Sequence, residues 1–220
     1  MIMAGLVTVD GKRVDKPGHL VNPSASIDLL GPDHPYVSRG GIKLEAALRE
    51  FAIDVKGLTI LDVGSSTGGF TDCLLHHGAK RVVAVDVGYG QLAWSLRNDP
   101  RVVVLERTNI RHLSTLEIED AIDGAVIDTS FISLRTVVPA TARLLQKDSF
   151  ILALIKPQFE AGKGMVGKGG VVRDNIFQRR IVDELSAFFS QSGLAVCGTF
   201  ESPIKGAKGN REFFIYLKCL

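Results

Sequence analysis

Charged side chains close or open the apolar runs of this sequence, and the types chosen suit proton handling. Asp62 interrupts Ile60-Leu61-Asp62-Val63, Asp86 ends Val82-Val83-Ala84-Val85, Asp128 follows Ala125-Val126-Ile127, Lys156 follows Phe150-Ile151-Leu152-Ala153-Leu154-Ile155, and Glu212 precedes Phe213-Phe214-Ile215. A lysine at the end of such a run is partly desolvated, which favours the free amine, while a neighbouring carboxylate favours the ammonium. Held between Asp128 and Glu212, Lys156 is expected to be oriented while it accepts or shares a proton. Lys43 lies upstream, in the first turn of a helix whose apolar residues are Leu44, Ala47, Leu48 and Phe51. A cation there opposes the helix dipole, so its placement marks a task, although a solvated lysine is the plainer reading.

A second group of residues suits a nucleoside. Gly64-Ser65-Ser66-Thr67-Gly68-Gly69-Phe70 reads as a strand that stops at a glycine and restarts as a helix, which presents bare backbone N–H groups above the sheet. Asp86 follows one strand later, 22 residues after Gly64, where a parallel sheet offers an acceptor to ribose hydroxyls. The spacing is G-x-x-x-G-G, not the G-x-G-x-x-G that brings backbone against a pyrophosphate, so a dinucleotide fits poorly. Glycines serving packing alone are the bland alternative.

These residues need a frame that gathers them. Apolar runs predict strands at 58–63, 81–87, 102–106, 123–128, 149–156, 194–200 and 212–219, and helices at 68–77, 90–97, 134–146 and 175–192. Alternation of the two predicts an α/β fold with a mostly parallel sheet covered on both faces. Residues 202–210 leave no room for a helix, so the last two strands are expected to pair antiparallel. In such a sheet ligands sit beyond the carboxyl ends of the strands, where Asp62, Asp86, Asp128 and Lys156 fall, joined by Glu212 at the start of the reversed strand. Upstream, Gly5 to Val14 alternates around Asp10-Gly11, a two-residue hairpin signal, and Asn22 to Pro35 reads as linker. Residues 1–35 therefore form a small appendage and 36–220 the main domain.

Composition narrows the function. A chain of 220 residues, 45% hydrophobic and 23% charged, buries one sizeable core. Cys73, Cys197 and Cys219 form no C-x-x-C pair, so neither a disulfide framework nor a metal site is expected. The amino end lacks a basic stretch followed by a long apolar core, and no apolar run reaches the ~20 residues needed to span a bilayer, which leads to the expectation of a cytoplasmic protein without a membrane partner. The net charge of +2 is too small to argue nucleic-acid binding alone. It is unevenly spread, however: Lys156 to Arg180 is mostly basic and Glu106 to Asp128 mostly acidic, so one face is expected to be basic. The loop from Ala161 to Gly170, rich in glycine, reads as a lid, an RNA-contacting loop or flexible filler, and His76-His77 as the end of a helix.

Several motifs carry a family resemblance. The turn from Asp62 to Gly69 with Asp86 resembles the first two motifs of class I S-adenosylmethionine-dependent methyltransferases, whose seven-stranded sheet with one antiparallel strand matches the expected frame. Lys43, Asp128, Lys156 and Glu212, in that order, resemble the Lys-Asp-Lys-Glu tetrad of FtsJ-type RNA ribose 2′-O-methyltransferases. More specifically, Ser38-Arg39-Gly40-Gly41-Ile42-Lys43, Asp86-Val87-Gly88-Tyr89-Gly90-Gln91-Leu92, Asp128-Thr129-Ser130-Phe131-Ile132-Ser133-Leu134-Arg135 and Lys156-Pro157-Gln158-Phe159-Glu160 resemble the TlyA branch, often labelled hemolysin. Gly5 to Pro17 resembles the hairpin half of the S-four type RNA-binding module.

The resemblance implies S-adenosylmethionine as cofactor, held by Asp62, Gly64, Ser65, Ser66, Gly68, Gly69, Phe70, Asp86, Val87, Asn109, Ile110 and Asp128. It implies catalysis by the tetrad and ribosomal RNA or ribosomal subunits as substrate. Lys156 is then the base or proton acceptor, oriented by Asp128 and Glu212, with Lys43 positioning the hydroxyl or a nearby phosphate. Other readings stay open: a base N-methyltransferase, disfavoured because Asp128-Thr129-Ser130-Phe131 lacks the expected prolines, and a non-enzymatic RNA-binding protein on the same fold. An NAD-dependent oxidoreductase and a membrane-lytic protein fit less well.

Overall fold

The computed structural model describes residue 2 and residues 7–16, 18–29, 34–115, 120–162, 165, 167 and 169–220. Contacts divide the chain into two units, Met1–Tyr36 and Val37–Leu220.

The first unit holds a three-stranded antiparallel sheet, β1 (Val7–Val9), β2 (Lys12–Val14) and β3 (Ile27–Leu29), in the order β2-β1-β3. Asp10 and Gly11 join β1 to β2 with φ of 48° and 74°, the pair of left-handed residues that a twisted two-residue hairpin requires. The stretch read as linker contains β3, which pairs with β1 from Val7↔Leu29 to Val9↔Ile27. Ser26 N–H closes that pairing by donating to Asp10 Oδ1 (2.9 Å).

The second unit is a seven-stranded sheet built from β4 (Thr59–Val63), β5 (Arg81–Val85), β6 (Val102–Leu105), β7 (Gly124–Ile127), β8 (Phe150–Ile155), β9 (Leu194–Glu201) and β10 (Phe213–Cys219). Its order is β6-β5-β4-β7-β8-β10-β9. β4 to β8 run parallel to their neighbours, whereas β10 inserts between β8 and β9, antiparallel to both. That insertion brings the start of β10 beside the end of β8, with Phe213 opposite Ile155. The helices are α1 (Gly40–Glu50), α2 (Gly69–His76), α3 (Trp94–Arg97), α4 (Leu134–Ala142), α5 (Pro157–Glu160) and α6 (Asn175–Gln191). One core joins Leu61, Val63, Ile127, Ile151 and Ile215 of the sheet to Val137 and Val138 of α4 and Leu185 and Phe189 of α6.

Three helical expectations change. Residues 90–93 are not helical: Gly90 takes a left-handed φ of +69° and Ala93 a ψ of 140°, with Gly90 N–H bonded to Glu106 Oε1 (2.8 Å) and Ala93 N–H to Thr67 O (3.1 Å). α4 stops at Ala142, where Leu144 and Leu145 turn back to Thr141 and Ala142 in tighter i to i−3 bonds. α5 was not foreseen; Pro157 opens it at a position that needs no N–H. His77 Nδ1 lies 2.9 Å from Cys73 O at the end of α2, in keeping with a helix terminus.

Three of the basic residues expected on one face lie at the surface. Arg173, Arg179 and Arg180 are exposed, with Arg180 bonded to Glu184 (2.8 Å), while Lys163 and Lys168 lie outside the described residues, as does part of the 161–170 loop. Among the acids, Asp120 pairs with Lys80 and Arg81, and Glu106 with Arg97. Glu117 and Glu119 lie outside the described residues.

Gly68 sets the entry to α2. Its φ is +96°, and a Cβ there would sit 2.3 Å from Leu96 Cδ1 and 2.8 Å from Leu92 Cδ1. Gly68→Ala combines left-handed strain with overpacking and is expected to cost about 1–3 kcal/mol, read as a lower urea midpoint at unchanged m-value. An unchanged midpoint counts against this packing.

Candidate functional site

Lys156 leaves the end of β8 and Asp128 the end of the adjacent β7, so parallel pairing sets them side by side. Lys156 Nζ lies 2.5 Å from Asp128 Oδ1 and donates to Ser130 Oγ at 3.0 Å. The first contact is ionic and not directional: Oδ1 is buried and receives no well-aligned hydrogen bond. Asp128 is fixed by its own N–H, which donates to Val63 O across the sheet (3.0 Å).

Glu212 does not join Lys156. Its Oε2 accepts from Lys43 Nζ at 2.6 Å, so the four residues form two ion pairs, Lys156–Asp128 and Lys43–Glu212. Phe213 pairs with Ile155, so Glu212 starts the strand beside Lys156, yet its carboxylate turns to the Lys43 amine that α1 brings to it. Its side chain is only 3% exposed, and a Cβ on Gly206 would fall 1.8 Å from Oε1, so the preceding loop closes down on the carboxylate. Lys43 reaches it because α1 approaches the start of α2 closely: a Cβ on Gly69 would lie 2.1 Å from Ser38 Oγ and 3.1 Å from Gly41 N.

Two hollows meet over the strand ends. One, of about 350 Å³, is bordered by Lys43, Asp128, Lys156, Ser65, Phe70 and Arg39. The other, of about 440 Å³, is bordered by Asp86, Val87, Asn109, Ile110, Thr129 and Phe131. Both are lined by Gly64, Ser66, Asp128 and Ser130, so they share a wall. Gly64 has φ +84°, and its N–H donates to Val85 O (2.8 Å). Asp86 organises the rim: Oδ2 accepts from Ser66 N–H (2.8 Å) and Oδ1 from Gly88 N–H (2.7 Å).

Of the residues the sequence assigned to the cofactor, Gly64, Ser65, Ser66, Gly69, Phe70, Asp86, Val87, Asn109, Ile110 and Asp128 border one or both hollows. Gly68 and Asp62 border neither. Gly68 packs on Leu92 and Leu96. Asp62 is fully buried: Thr71 Oγ1 of α2 donates to its Oδ2 (2.6 Å), and Oδ1 has no partner. Burial, opposed by that hydrogen bond and aided by Asp128 and Asp86, pushes its pKa up to about 7.

Sequence reasoning missed Ser130, Ser38 and the Gly206 loop as parts of this site. Ser130 stands two residues past Asp128 in a polar turn, which was the available signal; Gly206 reveals itself only through the packing of its loop. No group of His, Cys, Asp and Glu suited to a metal ion occurs among the described residues, nor does a helix long and apolar enough to cross a membrane.

Comparison with known proteins gives two family matches, FtsJ-like methyltransferase over residues 36–219 and S4 domain over residues 1–27. A 16S/23S rRNA (cytidine-2′-O)-methyltransferase, TlyA of Mycobacterium tuberculosis, is 49% identical over 219 residues, 99% of this chain and 82% of that protein. A solved hemolysin-named protein of Streptococcus thermophilus superimposes with a TM-score of 0.85 at 43% identity, covering 99% of this chain and 80% of the other. An S-adenosylmethionine-dependent methyltransferase from Mesorhizobium loti shares the fold alone, with a TM-score of 0.58 at 15% identity over 79% of this chain and 96% of the other.

Asp62 yields a pH prediction. Between about pH 4 and 7 the folded chain holds a proton that the unfolded chain has lost, so this residue lowers stability as pH rises through that window. Asp62→Asn removes the dependence. Its unfolding free energy relative to the native protein is expected to improve from pH 5 to pH 8 by an amount on the order of a few kcal/mol. Urea titrations at the two pH values check it, and a pH-independent difference would contradict a titrating buried carboxyl.

Proposed function

Because the chain belongs to the FtsJ-like methyltransferase family, we propose that it methylates a ribose 2′-hydroxyl of ribosomal RNA, with S-adenosylmethionine as the donor. The observation that carries this reading is the pair of ion pairs at the floor of a hollow that adjoins a nucleoside-sized one. RNA as the substrate is supported by the S4 match and by the rRNA specificity in the name of the Mycobacterium tuberculosis relative. The reaction belongs in the cytoplasm, where such a substrate is found.

The residues fit the cofactor. The hollow of about 440 Å³ lies within the range of small-molecule sites. Its lining combines apolar Val87 and Ile110 with the carboxylate of Asp86, which suits an adenosine ring and its hydroxyls, while Gly64 and Ser66 lead into the second hollow. When bound, the sulfonium supplies an electrophilic methyl group.

The chain's own residues do the rest. A ribose hydroxyl is a weak nucleophile, so it needs placement in line with the methyl and a route for its proton. Lys156 takes that proton at Nζ as the free amine, so the ammonium paired with Asp128 first gives up a proton to solvent; Asp128 then stabilises the ammonium that re-forms, and Ser130 fixes the direction of the amine. Lys43, held by Glu212, positions the hydroxyl or an adjoining phosphate.

Two outcomes follow, with methyl transfer measured by labelled S-adenosylmethionine on ribosomal subunits from an unmethylated strain and cofactor affinity by calorimetry. Lys156→Ala is expected to abolish methyl transfer while calorimetry finds cofactor affinity within a few fold; transfer at the native rate rejects the assignment. Asp86→Ala is expected to weaken cofactor binding about tenfold or more, because the rim loses both its acceptor and the anchor of Ser66 and Gly88. Unchanged affinity removes Asp86 from the cofactor site.

A further inference from the structure

The segment that follows Lys156 grips the loop that follows Asp128 at successive points. Lys156 Nζ donates to Ser130 Oγ (3.0 Å). Phe159 packs its ring on Phe131 with centroids 4.8 Å apart. Glu160 Oε2 accepts from Ser133 Oγ (2.6 Å), and Oε1 accepts from Leu134 N–H (2.8 Å). The last two bonds make Glu160 a cap supplied from another element: it satisfies the first N–H of α4 and sets a carboxylate against the positive end of a nine-residue helix. Ser133 Oγ in turn accepts from Arg135 N–H (3.1 Å), so one carboxylate and one hydroxyl take the first two N–H groups of α4.

The loop under this grip needs one. Phe131 has φ +64°, a left-handed conformation unfavourable for a residue with a bulky side chain, and it is 89% exposed, so packing around its own ring holds it weakly. Such a conformation persists only where its neighbours over-determine it. Residues 128 and 130 on the same loop carry both contacts to Lys156 Nζ.

We propose that Glu160 is a positioning residue for methyl transfer: by clasping Ser133 and Leu134 it fixes the 129–134 loop so that Ser130 stays on the Lys156 amine. This rests on the proposed role of Lys156, but the clasp itself has a readout that does not need catalysis. Glu160 touches neither hollow and acts through Ser130. Its partial burial pushes its pKa up, opposed by the two hydrogen bonds and by Arg135, so the site has invested in holding this carboxyl away from water.

The test uses the full chain with Glu160→Ala, Glu160→Gln and Ser133→Ala. Misplacement of a reacting group by about 1 Å is worth about 10²-fold, which sets the expected loss of kcat for Glu160→Ala, with cofactor affinity held within about threefold. Glu160→Gln keeps an oxygen able to accept from Leu134 N–H and is expected to recover most of that loss, and Ser133→Ala to fall between. Amide hydrogen exchange in the native protein and Glu160→Ala gives the second readout: faster exchange confined to 129–135, with β7 and β8 unchanged. Native turnover in Glu160→Ala, or unchanged exchange over 129–135, overturns the proposal. Should the native protein itself fail to methylate ribosomal subunits, the reading of function falls while the exchange comparison still decides the clasp. Should Glu160→Ala fail to fold, exchange and turnover of Glu160→Gln and Ser133→Ala decide it in the same directions.

Discussion

Two lysines cannot sit at the mouth of an apolar sheet unless each has a counter-charge, and that requirement shapes the second unit. Lys43 and Lys156 are 12% and 11% exposed at the side chain, and their carboxylates, Glu212 and Asp128, are 3% and 22% exposed. Desolvating such groups is expensive, and losing one partner of a buried pair costs about 3–5 kcal/mol because the other is left uncompensated. The four charges are therefore present as two pairs or not at all. Each pair draws on elements far apart in sequence: residues 43 and 212 for one, 128 and 156 for the other.

Close backbone approach is what lets those elements meet. α1 carries Lys43 to Glu212 only because Gly69 leaves room for Ser38 and Gly41 at the start of α2. Gly206 leaves room for Glu212 itself, and Gly64 for the carbonyl of Asp128, which a Cβ would approach to 2.9 Å. The same glycines that expose backbone to a ligand thus also set the distances between charged groups. Packing and binding are not competing explanations for them.

Much of this was legible in the sequence, and the failures have physical causes. Long apolar runs ending in Asp128 and Lys156 fixed which charges lie at the carboxyl edge, since parallel neighbours end at one level. Which acid meets which lysine is decided by α1, which brings Lys43 to Glu212, and nothing in the one-dimensional pattern sets where that helix packs. Asp62 misled for a simpler reason. Side chains alternate along a strand, so Asp62 shares a face with Ile60 and turns to Thr71 of α2, while Leu61 and Val63 face the other core. Helix boundaries failed where the backbone leaves helical dihedrals, as at Gly90 (φ +69°) and Ala93 (ψ 140°).

The charge balance of the cluster bears on what it is for. Its two ammoniums and two carboxylates sum to zero, so its long-range pull on a polyanion is small. A lysine ammonium has three N–H donors. Asp128 and Ser130 engage Lys156 and Glu212 engages Lys43, which leaves each nitrogen with donor directions open toward the hollow they border. Neutral overall and incompletely coordinated, the cluster is suited to exchanging a proton at close range. The positive charge bordering that hollow outside the two pairs is that of Arg39, just before α1, where the helix dipole adds to it. The hollow is thus lined by a lone cation on one side and by a cluster that is neutral overall on the other.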